Sequence, residues 1–209
     1  MPWTSGMARH PRRFLIATAL SLALLGLPTR SLDAQPAPDA SAEAMNAQLA
    51  AEHVARVGPS YLYPAHAVTP GLVNQDITPA NIDQTICSHT WSTKTIRPPV
   101  TYTNRLKQQQ LAHATDKNPA HYEEDHFLSL ELGGHPRDPR NLWPERWGTP
   151  AQPLTARGPF PPHLVGAKSK DATENALHRE VSAGTLTLRE AQWIIATGWF
   201  RYFREKVLH

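Results

Sequence analysis

Cysteine is almost absent from this chain, with Cys87 the only one among 209 residues. A single thiol excludes an intramolecular disulfide and a cysteine-based zinc knuckle. What remains for it is the role of a small buried residue, or of an intermolecular pairing partner in an oxidising compartment. A Cys-His nucleophile is the sharper alternative, but nothing around Cys87 reads as a nucleophile's turn. Long hydrophobic runs are missing beyond the first thirty residues, so no later stretch reaches the roughly 20 residues that a spanning helix needs. No internal repeat is present. A charge excess of one sign is lacking as well once the N-terminus is set aside, because residues 35–209 carry 17 basic and 17 acidic side chains. That neutrality hides an asymmetry: residues 35–85 have one base, Arg56, against five acids, and residues 86–209 have 16 bases against 12 acids. A modest positive excess confined to one module suits a polyanion partner.

What is present begins with an export-like leader. Arg9, His10, Arg12 and Arg13 precede an almost unbroken apolar run from Phe14 to Leu27, which Gly26 and Pro28 bring to an end. Basic, apolar and small-residue regions in that order read as a secretory signal peptide over residues 1–34, and Leu32-Asp33-Ala34 offers the cut. An uncleaved membrane anchor and a cut after Ala42 are the alternatives. The mature protein is then expected in the periplasm or outside the cell, away from the membrane. Residues 35–78 are expected to be a flexible or partly helical leader: residues 41–57 space Met45, Leu49 and Val54 at helical intervals, and Pro59, Pro64, Pro70 and Gly71 then break the pattern. Residues 79–209 are expected to form the working domain.

Within that domain Thr78-Pro79 is a helix-start signal, and Thr101 to Ala114 reads as a helix with Leu106 and Leu111 turned inward. Leu128, Leu130 and Leu132 alternate, which predicts a half-buried strand ending at Gly133-Gly134. A turn, His135 to Arg140, leads to a second short strand, Asn141 to Glu145. After a Pro- and Gly-rich loop, a helix is predicted from about Val165 to Val181, stopped by Gly184. Thr187-Leu-Arg-Glu190 is a capping box opening a last helix with Trp193, Ile194, Ile195, Trp199 and Phe203 as its core stripe. The expected class is α+β, a hairpin plus helix with supporting helices.

Chemistry concentrates in Asp125-His126, Gly133-Gly134, Asn141 and the polar helix that follows. A neutral imidazole takes a proton from water near neutral pH, which suits His126 as a general base. Because side chains alternate along a strand, Asp125 and His126 face one way only if a twist or bulge intervenes. Asp171, Glu174, Asn175 and His178 share one helix stripe, and Glu174 and His178 at i, i+4 are placed to converge on one cation.

The EDH-to-LELGG run, the DPRNLWPE run and the helix Ala167 to His178 together resemble the HNH (His-Me finger, ββα-metal) endonucleases, exported members in particular, over residues 85–205. The resemblance implies a ββα-metal core and hydrolysis of nucleic-acid phosphodiesters, DNA ahead of RNA. It implies His126 as the base, Asn141 as the brace of the loop carrying it, and Asp125 as a ligand of one divalent metal ion (Mg, Mn or Zn). Glu174, His178 or Asn175 would complete the metal site, the long gap of residues 146–164 leaving that choice open. Arg140, Lys168 and Lys170, with Arg137, are the candidate phosphate contacts, which position a substrate without reading bases. No protein partner is evident. The rival expectation is an exported nucleic-acid- or metal-binding protein on the same frame, without catalysis; Phe127-Leu-Ser follows His126 where family members often carry proline.

The leader generates a direct test. N-terminal sequencing of protein recovered from the cell envelope or medium should start near Gln35, and a retained Phe14–Leu27 segment would refute export with cleavage.

Overall fold

A computed structural model of the chain describes Met1 and residues 35–51, 54–161, 163 and 165–208. By its contacts the chain divides into two units, Met1–Arg30 and Ser31–His209; the second is described here, and the signal-like stretch 2–34 lies outside the described residues. Among the described residues the α-helices are α1 (Ala42–Leu49), α2 (Val100–Leu111), α3 (Ala167–Ser182) and α4 (Leu188–Tyr202), and the strands are β1 (Tyr122–His126) and β2 (Leu142–Arg146), with short 3-10 turns between them and a π-helical turn, Phe203–Val207, after α4. The fold is thus mixed helix and strand, its strands paired antiparallel in one two-stranded sheet. Among the described residues no helix is long and apolar enough to cross a membrane.

The last helix follows the local rules closely. Thr187 caps it with a reciprocal Glu190 capping box, which satisfies two otherwise orphaned amide donors. Behind the cap, Trp193, Ile195, Trp199 and Phe203 are buried as the stripe requires, with Ile194 half-buried. α3 ends where Gly184, at φ +74°, turns the chain left-handed. There Thr185 N–H reaches back to the Glu180 carbonyl at 2.9 Å and Gly184 N–H to Val181 at 3.0 Å, the paired bonds of a Schellman stop.

Three expectations are corrected. First, the segment 35–78 is partly helical as expected, through α1, but it is no loose leader: Met45, Leu49, Leu62, Tyr63, Val73 and Ile77 join the main core. Val73 bridges Gly134, Asn74 N–H donates to the Gly133 carbonyl at 2.8 Å, and His135 N–H to Leu72 at 2.8 Å. Arg56 adds hydrogen bonds to the Pro64 carbonyl and to the Thr69 carbonyl at 3.0 Å, its guanidinium 4.5 Å from the centre of the Phe127 ring. Proline and glycine hide this packing from any periodicity. Second, the Thr78-Pro79 signal opens turns and a single 3-10 turn, Ile82–Gln84. The Asn81 side chain accepts from Thr78 N–H at 2.8 Å and donates to Asp76 at 2.9 Å, a local alternative to a helix start. Third, the strand stops at His126, and Leu130–Leu132 form a 3-10 turn closed by Gly133 at φ +73°. Leu128, Leu130 and Leu132 are all buried, so the alternation reflects burial and not extension.

Cys87 is half-buried and accepts a hydrogen bond from the Ser182 hydroxyl of α3.

Gly134 and Gly184 are held by different constraints. A Cβ on Gly134 would stand 1.7 Å from the Leu128 carbonyl oxygen, whereas one on Gly184 meets nothing within 4 Å and faces only its positive φ. Gly184→Ala should therefore cost about 1–2 kcal/mol, and Gly134→Ala should cost roughly 3 kcal/mol or more, because backbone must move. Urea denaturation followed by circular dichroism measures both, and equal losses would show that the Gly133-Gly134 turn is not sterically constrained.

Candidate active site

Five consecutive pairs set the hairpin: Tyr122 with Arg146, Glu123 with Glu145, Glu124 with Pro144, Asp125 with Trp143, and His126 with Leu142. Opposed residues share a face and neighbours alternate, so this unbroken register sends Asp125 and Glu145 toward α3. Tyr122, Glu124 and His126 border a cleft of about 380 Å³ against α2, whose wall includes Arg97, Asn104 and Lys107, with Trp147 at its rim. The bulge that would bring Asp125 and His126 to one face is not there, and the two side chains diverge. From α2, Lys107 donates to the Tyr122 carbonyl at 3.0 Å, Gln110 to Leu142 at 2.9 Å, and the Tyr102 hydroxyl to Arg137 at 2.6 Å. The helix thereby holds the hairpin edge and the turn that follows it.

His126 is 4% exposed, and its Nε2 lies 2.9 Å from the Pro136 carbonyl oxygen. A carbonyl only accepts, so Nε2 carries the proton and the neutral ring keeps its lone pair on Nδ1. Burial pushes the His126 pKa below the ordinary histidine value of 6.5, outweighing the Pro136 hydrogen bond and the Asp125 charge that raise it. The ring is a neutral base at pH 7.

Asn141, fully buried, positions the loop carrying that carbonyl. Its Oδ1 accepts from Leu128 N–H at 2.9 Å, while Nδ2 donates to Leu128 O at 3.0 Å and to His135 O at 2.9 Å. Phe127 N–H donates to the Asn141 carbonyl at 2.8 Å, continuing the ladder one step beyond His126. The Asn141 side chain thereby ties Leu128 to His135 across the turn between β1 and β2.

On the α3 face the expected ligands separate. Lys170, 1% exposed, donates to Asp125 Oδ2 at 2.7 Å, to the His126 carbonyl at 3.1 Å and to Glu174 Oε1, and its Nζ stands 4.0 Å from Glu145 Oε2. Lys170 is therefore no surface phosphate contact, because burial and its carboxylate partners keep it from the surface. His178 lies elsewhere: its Nε2 is 2.8 Å from the Ile86 carbonyl, and its Nδ1 is 4.0 Å from Glu131. Asn175 turns back on its own helix, donating to the Asp171 carbonyl at 2.7 Å. Asp125, Glu174 and His178 do not converge. Among the described residues no three His, Cys, Asp or Glu side chains form a group suited to a metal ion.

The other basic candidates are at the surface. Arg140 is bound to its near neighbour Asp138, 2.6 Å away. Lys168 pairs with Asp171 at 3.2 Å and sits 5.2 Å from the Trp147 ring centre, beside the cleft rim. Arg97, Lys107, Glu124 and Glu145 escaped the sequence reasoning. For Glu145 a signal existed: a lone acid on a short strand between Trp143 and Trp147. Both carboxylate oxygens of Glu124 and of Glu145 are buried without a hydrogen-bond partner. Burial, reinforced by the Asp125 charge, pushes Glu124 up to about 8 and Glu123 up to about 7. Glu124 is thus protonated and Glu123 partly so at neutral pH, which leaves Arg97 and Lys107 to set the sign of the cleft. No family model, curated protein or solved structure matches this chain.

The brace has a measurable consequence. Asn141→Ala strands Leu128 N–H, Leu128 O and His135 O, buried groups worth about 1–3 kcal/mol each, so a loss of at least about 3 kcal/mol in a urea melt is expected. Nitrogen NMR of the imidazole should show the Nε2–H tautomer in the wild type and a mixture in the variant; an unchanged tautomer would remove Asn141 as the indirect positioner of His126.

Proposed function

We propose that this protein hydrolyses phosphodiester bonds of nucleic acid, with His126 as general base. The observation that carries the reading is the His126 ring: buried, neutral, fixed by Pro136 through Nε2, and bordering a cleft with Arg97 and Lys107. The Asn141 amide holds the loop that supplies the Pro136 carbonyl. Nδ1 takes a proton from water, the water oxygen attacks phosphorus, and the bond to the leaving oxygen breaks. The leaving oxygen then takes up a proton, for which Glu124 in the same cleft is a source. Arg97 and Lys107 draw in the polyanion and offset charge on the phosphoryl oxygens.

The resemblance calls for a divalent ion held by Asp125 and a helix ligand. Oxygen donors would suit Mg²⁺ or Mn²⁺, but the ammonium of Lys170 stands among them and the expected third donor, His178, faces Ile86. The residues as placed do not fit the ion, and no step is assigned to it. The divergence of Asp125 from His126 favours a second reading, a polyanion-binding protein without catalysis.

His126→Ala removes the base, a contribution of about 10²–10⁴-fold, so cleavage of plasmid or RNA should fall by at least about a hundredfold in a variant that circular dichroism shows to be folded. Wild-type rate should decline with acid only below a pKa lying under 6.5, since burial favours the neutral ring. Above about pH 8, where Glu124 loses its proton, KM should rise with the added negative charge and kcat should fall with the loss of the proton source. A folded variant cutting at wild-type rate ends the nuclease reading, and wild-type protein that binds nucleic acid without cutting it establishes the second.

A further inference from the structure

Lys170 is among the most buried side chains of the molecule, 1% exposed, at the fourth residue of α3. Bringing an ammonium out of water is costly, and such a charge survives only where partners answer it. Here its three N–H donors are all used, by Asp125 of β1, by Glu174 one turn along its own helix, and by the His126 carbonyl. Glu145 of β2 faces the same charge from 4.0 Å, with no hydrogen-bond partner for either oxygen. One ammonium therefore joins both strands and the helix through oxygen ligands. Burial opposes its charge, yet Asp125, Glu174 and Glu145 together hold its pKa well above the ordinary lysine value.

We propose that the Lys170 ammonium is this protein's own cation at the position that the resemblance gives to a divalent metal ion. Asp125 and Glu174 are the groups expected to hold the metal, and they hold the lysine. The lysine reaches them covalently tethered, so its local concentration is fixed by α3 and not by the surrounding medium. The carboxylates then serve to seat the helix on the hairpin and to fix the strand end at His126, whose carbonyl is the third acceptor. The inference concerns the ion cluster and does not rest on nucleic-acid hydrolysis, so a failed cleavage assay leaves it standing.

Titration of the wild-type protein with Mn²⁺, followed by the electron paramagnetic resonance signal of the free ion, should show no stoichiometric site that Asp125→Asn removes. Melting temperatures in EDTA and in millimolar Mn²⁺ should coincide. Lys170→Met, close in length and uncharged, should lower the melting temperature by at least about 5 °C, because it leaves buried carboxylates unanswered. In a background of Asp125→Asn, Glu145→Gln and Glu174→Gln the same change should cost less than half as much, since amides need no ammonium. A one-to-one Mn²⁺ site lost in Asp125→Asn overturns the proposal, as does an equal cost of Lys170→Met in both backgrounds. If Lys170→Met does not fold, the wild-type titration decides alone.

Discussion

One side-chain amide holds the hairpin together at the point where its two strands part. Beyond Phe127 the backbone leaves the ladder, and a loop of buried leucines intervenes before β2 begins. Backbone groups there lie outside the β1–β2 ladder, and orphaned polar groups inside a protein are costly. Asn141 supplies an acceptor and two donors from a single planar group, meeting Leu128 on both sides and His135 once. An acid would lack the donors and a hydroxyl the reach. The fixed course of residues 134–136 is what gives His126 one ring nitrogen to donate with and one to accept with.

The two faces of the sheet then follow different physics. Against α2 the hairpin is held by side chains donating to strand carbonyls, and an open cleft remains. Against α3 it is held by charge in a dry interior, where Coulomb interactions are strong and solvent does not screen them. Glu145 is the measure of the imbalance: burial, then the nearby Asp125 charge, drive it well above the ordinary glutamate range, because one ammonium cannot answer three carboxylates. The same side chains that a surface would carry as solvated polar residues act here as an interior lock between helix and sheet.

Much of the frame was legible in the sequence wherever local chemistry decides. Thr187 and Glu190 announce their helix because a capping box is a contact between residues three apart. Gly184 announces the end of α3 because a left-handed turn selects glycine. The hydrogen bonding of Asn141 was legible, since an amide at a buried turn can both donate and accept, and His126 was legible as a residue beside that turn. Lys170 was not. On a helix, a lysine between serine and aspartate has the pattern of a solvated face, and its burial depends on Asp125 and Glu145 arriving from two strands that sequence alone does not superpose. Leu128, Leu130 and Leu132 misled for the opposite reason: alternation is shared by a strand and by a tight turn pressed into a core. The contribution of residues 42–77 was invisible because their apolar residues are held by long-range contacts among prolines, with no period to betray them.

The bridge between Val73 and Gly134 joins residues about sixty positions apart. Val73 precedes Gly134 in the chain, so the bridge can form only once both are present. Contacts of such separation carry a closure entropy that is met before any bond forms. The loop beside His126 therefore depends on closing a stretch of about sixty residues. A fragment begun at residue 79 would keep every residue of the Asp-His-Asn signature and lose the strip of backbone against which that signature is shaped.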